Sequence, residues 1–334
     1  MSAPDRAIEA VDLVKTYGRA ARKVRALDGV TFSVRPGIVF ALLGPNGAGK
    51  STTVRILATL SSPEAGQARV AGVDVRRDPA RVRRLIGYVS QKPAFDPVGT
   101  GLENLVLHGR LHGASAATAR RRAGELLDRF DLAPAARRPA GTWSGGMQRK
   151  LDIAMGLMHR PRVLFLDEPT TGLDPEARRE LWTQISGLTR QDGLTVLLTT
   201  HYLEEADQLA AELVIVDAGR VVAAGSPDQL KNDLAGDTVR LGLADRTQAA
   251  RAHRAMGGLP AVTEVDTDGA VLRARVADGA AALPAMLAAL HTAAVELTAV
   301  SVARPSLDDV YLRHAGRSFA DADRTSAVRE EVRS

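Results

Sequence analysis

Apolar and polar positions alternate in short runs over 7–14, over 24–34 after a break at Gly18, and over 38–43 after Pro36-Gly37. A period of two predicts strands. The last of these runs ends in Gly44-Pro45-Asn46-Gly47-Ala48-Gly49-Lys50-Ser51-Thr52, and a helical pattern continues from there to about Leu60, ahead of Ser61-Ser62-Pro63. A strand over 68–75, a short helix over 79–85 and a strand over 86–89 come next. From about Pro93 to Gly141 the period changes. Leu102, Leu105 and Val106, then Ala123, Leu126, Leu127 and Phe130, recur three and four residues apart with Arg and Glu between them. That spacing predicts a helical subdomain, spanning about 93–160, set between strands.

Beyond it, a helix over 147–159 stops at Pro161, and 163–166 and 195–198 are continuous apolar runs. Strands buried on both faces of a parallel sheet read this way. Between them, Asp174 is placed to cap a helix whose first residue is Pro175. Runs at 213–217 and 220–224 flank Ala218-Gly219 as a hairpin, and the first domain is expected to cover 1–235. Residues 236–316 form a smaller α+β domain in the order strand, helix, hairpin about Asp268-Gly269, helix, strand, helix, close to the split βαβ plan. The polar tail over 317–334 is expected to be disordered.

Composition narrows the picture only a little. At 334 residues, with 45% hydrophobic and 25% charged positions, the chain suits two ordinary globular domains. No stretch approaches the roughly 20 apolar residues of a membrane span; the best run, 280–290, is short and holds Pro284. The start of the chain, with Asp5 and Glu9 and no apolar region, does not read as a signal peptide. A cytosolic location, at a membrane only through a partner, is the expectation. Absence of cysteine removes disulfides, thiolate metal sites and cysteine nucleophiles. The net charge of +5 comes from a chain whose basic residues are nearly all Arg. Its Arg clusters fall at helical spacing on solvated faces, so no nucleic-acid partner is expected.

The chemistry is concentrated at 44–52. Glycines at 44, 47 and 49 let successive N–H groups turn inward around phosphate oxygens, and a helix N-terminus beginning near Lys50 adds positive potential. Lys50 supplies an ammonium for the β- and γ-phosphates, and Ser51 a hydroxyl for Mg²⁺. The strand 163–166 ends in Asp167, a carboxylate to hold Mg²⁺, followed by Glu168, placed to polarise a water attacking the γ-phosphate. Trp143-Ser144-Gly145-Gly146-Met147 opens a helix with a serine and bare amides, a second phosphate-binding arrangement.

In this order and spacing the sequence resembles the nucleotide-binding subunit of an ATP-binding cassette (ABC) transporter over residues 7–230. The resemblance implies a P-loop NTPase with a RecA-like α/β core, an antiparallel β subdomain and a helical subdomain. It makes the substrate MgATP, held by Gly44, Pro45, Asn46, Gly47, Ala48, Gly49, Lys50, Ser51 and Thr52. Gln91 corresponds to the Q-loop glutamine near Mg²⁺, Asp174 to the D-loop, and His201 to the switch histidine on the γ-phosphate. Tyr17 sits where the family stacks an aromatic ring on adenine. Catalysis is assigned to Glu168 and His201, and metal binding to Ser51, Gln91 and Asp167. The family also implies a head-to-tail homodimer in which Ser144, Gly145 and Gly146 of one chain close over the ATP of the other.

The signature departs from Leu-Ser-Gly-Gly-Gln at Trp143 and Met147, leaving the phosphate-contacting middle intact. With Leu57-Ala58-Thr59-Leu60 and Ser306-Leu307-Asp308-Asp309-Val310-Tyr311-Leu312, it resembles the daunorubicin-resistance type of bacterial drug exporter. That type implies an ABC-2-type membrane permease as partner and a place at the cytoplasmic face of the membrane. The C-terminal domain shows no catalytic constellation and reads as a packing or dimer-stabilising module. Import of a solute, sequestration of a drug, and a soluble ATPase acting on ribosomes or DNA are the other readings. The last lacks its usual second cassette or coiled-coil insertion.

Overall fold

A computed structural model describes residues 6–18, 23–234 and 236–324. They divide into two compact units, the first running to Ser226 and taking in Asp323, the second Pro227–Ala322. The boundary thus falls some nine residues before the expected 235/236, because the helix at 227–232 clusters with the second unit.

In the first unit, β1 (Ile8–Tyr17) and β2 (Val24–Val34) form an antiparallel pair, extended on the other side of β1 by later strands. Next come β3 (Val39–Leu43), wholly buried, and α1 (Lys50–Leu57). This helix is shorter than the apolar pattern suggests, because Thr59 turns to a left-handed φ of 63°. β4 (Ala65–Val70) and β5 (Val73–Asp74) complete the order β2-β1-β4-β5. β4 begins earlier than the pattern indicates: Gly66, at φ 89°, lies where a Cβ would meet Asp12 O at 2.3 Å, so a glycine is required in the strand.

After α2 (Pro79–Leu85) and β6 (Ile86–Val89) comes the helical subdomain of α3 (Gly101–Leu111), α4 (Ala116–Arg129) and α5 (Gly145–Gly156). A Thr100/Glu103 capping box starts α3, and Ser115 caps α4. The core resumes with β7 (Val163–Asp167), α6 (Pro175–Asp192), β8 (Thr195–Thr200), α7 (Leu203–Leu209) and the hairpin β9 (Glu212–Asp217) and β10 (Arg220–Gly225). The second sheet has the order β10-β9-β3-β8-β7-β6, parallel throughout except for β10. Leu42, Phe165 and Leu197 are fully buried in it. Phe40 stacks on Phe32 of the antiparallel sheet, centroids 5.4 Å apart, within the core that joins the two sheets. The parallel register brings the carboxyl ends of β3, β8 and β7 side by side, with Leu43 opposite Thr200 and Asp167 opposite Thr199. Open α/β sheets bind ligands at such strand ends.

The second unit contains α8 (Pro227–Asn232), β11 (Asp237–Leu243), α9 (Ala249–Gly257), β12 (Val262–Asp268), β13 (Val271–Val276), α10 (Gly279–Thr292), β14 (Leu297–Ala303) and α11 (Leu307–Ala315). Its antiparallel sheet has the order β12-β13-β11-β14, the split βαβ arrangement read from the sequence. Val239, Leu241, Leu272, Met256 and Met286 fill its core. Disorder does not extend over the whole expected tail: 319–324 is helical, while 325–334 lies outside the described residues. No helix of the described residues is long and apolar enough to cross a membrane.

Candidate functional site

The turn from β3 into α1 leaves no room for a Cβ at two of its glycines. Gly49 caps α1 at φ 108°, and a Cβ there would meet Ala26 O at 2.6 Å. At Gly44 a Cβ would lie 2.2 Å from Val216 O. The resulting loop folds back over its own lysine. Lys50 is 4% exposed, and its ammonium donates to the carbonyls of Gly44 (2.7 Å) and Pro45 (3.0 Å). Burial pulls its pKa down, opposed by neighbouring carboxylates, Glu168 foremost.

Adjacent strand ends supply the rest. Ser51, in the first turn of α1, donates to Asp167 Oδ1 at 2.9 Å, and Thr199 of β8 donates to the same oxygen at 2.7 Å. One residue on, Glu168 takes a left-handed φ of 47°, a strained conformation for a glutamate. Its N–H donates to Thr199 Oγ1 at 3.0 Å, which holds the backbone there. The turn directs the carboxylate toward Lys50 Nζ (3.6 Å) and His201 Nδ1 (3.3 Å), both measured to Oε1. Its other oxygen accepts from Gln91 Nε2 and from Thr171 Oγ1, each at 3.3 Å. Burial pushes the Glu168 carboxyl up, but His201, Lys50 and Thr171 act together against it, and the group lies below the usual carboxylate range. It is therefore ionised at neutral pH.

These contacts bring Lys50, Ser51, Gln91, Asp167, Glu168 and His201 into one constellation. Other expected site residues stand differently. Ser144 is exposed and accepts from Met147 N–H at 3.3 Å, so it caps α5 and makes Gly145 and Gly146 the first helical residues. Asp174 caps α6, accepting from the N–H groups of Glu176 and Ala177. Tyr17 ends β1 at 40% exposure with the Lys15 ammonium 5.4 Å from its ring.

Sequence reasoning overlooked Arg149. It is 8% exposed, and its guanidinium donates to the carbonyls of Pro169 (2.8 Å), Ser90 (2.6 Å), Asp167 (3.0 Å) and Glu168 (3.3 Å). One side chain from α5 thus ties the turn carrying Glu168 to the segment carrying Gln91. Glu205 was also missed. It is fully buried, accepts from Thr170 Oγ1 (2.9 Å) and Trp182 Nε1 (3.0 Å), and burial raises its pKa. An arginine four residues after a phosphate-binding turn, on the face toward the core, was the one signal available for the first.

Residues 27–171 match the ABC transporter family, and 225–315 match the C-terminal domain of ATP-binding proteins like DrrA1-3. The chain is 46% identical over 329 residues, 98% of each chain, to the daunorubicin/doxorubicin resistance ATP-binding protein DrrA of Streptomyces peucetius. It is 48% identical over 312 residues to the daunorubicin resistance ATP-binding protein DrrA3 of Streptomyces coeruleorubidus, covering 93% of this chain and 96% of that one. Among solved structures, the dimeric ATP-binding cassette MJ0796 in a post-hydrolysis state with ADP and Pi superposes with a TM-score of 0.60 at 27% identity. It covers 66% of this chain and 98% of its own. A phosphate loop after β3, an ionised glutamate at the end of β7 and relatives matched over nearly the whole length lead to one conclusion: the chain belongs to the ABC transporter ATP-binding proteins of the daunorubicin/doxorubicin-resistance type.

Proposed function

We propose that this ATPase powers export of hydrophobic small molecules, drug-like or lipid-like, through a separate ABC-2-type permease, acting as a head-to-tail pair of identical chains at the cytoplasmic face of a bacterial membrane. The observation that carries the catalytic part is the convergence on Glu168. An ionised carboxylate flanked by Lys50, Gln91 and His201 is equipped to orient a water and accept its proton, while Lys50 offsets charge on the phosphates. Phosphoryl transfer to water asks mainly for positioning and charge stabilisation, and these residues supply both.

The donor set beside them fits Mg²⁺. Ser51 Oγ and the Asp167 carboxylate are hard oxygens already 2.9 Å apart, and Gln91 adds an amide within reach of Glu168. Bound there, the ion would neutralise charge on the β- and γ-phosphates. Pairing of chains is supported by the exposed N-terminus of α5, whose amides and Ser144 suit a phosphate supplied from elsewhere, and by the dimeric cassette to which the fold is similar. Export of drug-like compounds is supported by the resistance proteins that the chain matches from end to end. Inside-out vesicles carrying this chain and its permease should accumulate doxorubicin when ATP is present and lose that accumulation with Glu168→Gln. Uptake that persists in the variant would contradict the coupling.

A further inference from the structure

Taking the P-loop as the ATP site, we propose that Asp323 is a built-in brake on nucleotide binding: its carboxylate holds a phosphate-binding amide of the loop, and ATP must displace it. The backbone N–H of Asn46 donates to Asp323 Oδ1 at 3.0 Å. This amide lies in the glycine-rich turn whose N–H groups converge on an anion, and a carboxylate is the anion placed there. The charge of Asp323 also acts on the Lys50 ammonium, alongside those of Glu168 and Asp167. Asp323 thus engages two features of the loop that a polyphosphate needs, an inward N–H and the lysine charge.

One N–H cannot serve a carboxylate and a phosphate oxygen at good geometry together, so the two compete. Apparent ATP affinity then falls by the fraction of molecules whose loop is open. The test is equilibrium binding of trinitrophenyl-ATP to the full chain as wild type, Asp323→Ala and Asp323→Asn, with steady-state ATP turnover on the same proteins. Asp323→Ala should tighten binding about three- to tenfold and lower KM with kcat unchanged. Asp323→Asn, which keeps an acceptor oxygen without the charge, should fall between. Equal affinity in all three overturns the brake and leaves the ATP site standing. Weaker binding by Asp323→Ala overturns it too, since a merely structural carboxylate gives a loss and not a gain. No binding by any of the three removes the ATP site, and the brake with it.

Discussion

Arg149 shows how far a single side chain can govern the site. Its planar fork spans four carbonyls, two of them on Asp167 and Glu168, and Asp152 lies 4.0 Å away. Burial lowers its pKa, opposed by Asp152 and Asp167. A lysine keeps the charge but not the fork. Arg149→Lys should therefore cost about 2–4 kcal/mol of stability through carbonyls left unpaired. It should lower kcat more than it raises the KM for ATP, because Glu168 loses its support while the P-loop does not. Urea unfolding and steady-state kinetics check both halves; an unaltered unfolding midpoint would remove the role assigned to Arg149. The motif residues Lys50, Ser51, Asp167, Glu168 and His201 were legible because each sits at a fixed offset from a strand end. Arg149, Thr199 and Glu205 were not. The carbonyls that Arg149 binds lie between 18 and 59 residues away, the partners of Thr199 31 and 32, and those of Glu205 23 and 35, so no local pattern announces them.

Among the elements, α3 and the end of α5 bring three histidines together. The His112 ring stacks on His159 with centroids 3.9 Å apart and planes 2° from parallel, and His108 stands 5.1 Å from His112. His159 Nε2 lies 2.7 Å from Ile86 O, the separation of an N–H donating to a carbonyl. Burial, then the neighbouring His112 and His159, lower the pKa of His108 to about 4. Burial lowers those of His112 and His159 as well. Unfolded, an imidazole titrates near ~6.5. The unfolded chain thus takes up protons first as pH falls, and the stability that the neutral His108 ring supports is present above ~6.5 and lost toward about 4. Urea midpoints should fall between pH 7 and pH 4.5, and fall less in His108→Gln; identical falls in both proteins would contradict this. Element boundaries were legible where propensity and capping agree, as at Thr100 and Ser115. They were hidden where glycine occupies the ends: α5 starts at Gly145 and not at Met147 because Ser144 caps it, and glycine is a poor helix former that masks the start.

For the whole molecule, both units were legible as fold classes. Continuous apolar runs marked the parallel strands, and the β-α-β-β-α-β order fixed the second unit's sheet. The place of the boundary and the order within 317–324 were not, since α8 and the final turn depend on what they pack against. On the proposed pairing, the P-loop of one chain and the exposed N-terminus of α5 from the other would together make each of two sites, and ATP would shift the population toward the pair. The proposed function turns on Glu168 as the residue that activates water. Replacing it with glutamine removes the charge and keeps the shape. The decisive measurement is ATP turnover by Glu168→Gln, with bound nucleotide and chain pairing followed in the same preparation. Turnover should fall about a hundredfold or more, with MgATP still bound and chains held in pairs by it; turnover within a few-fold of the parent would contradict the account.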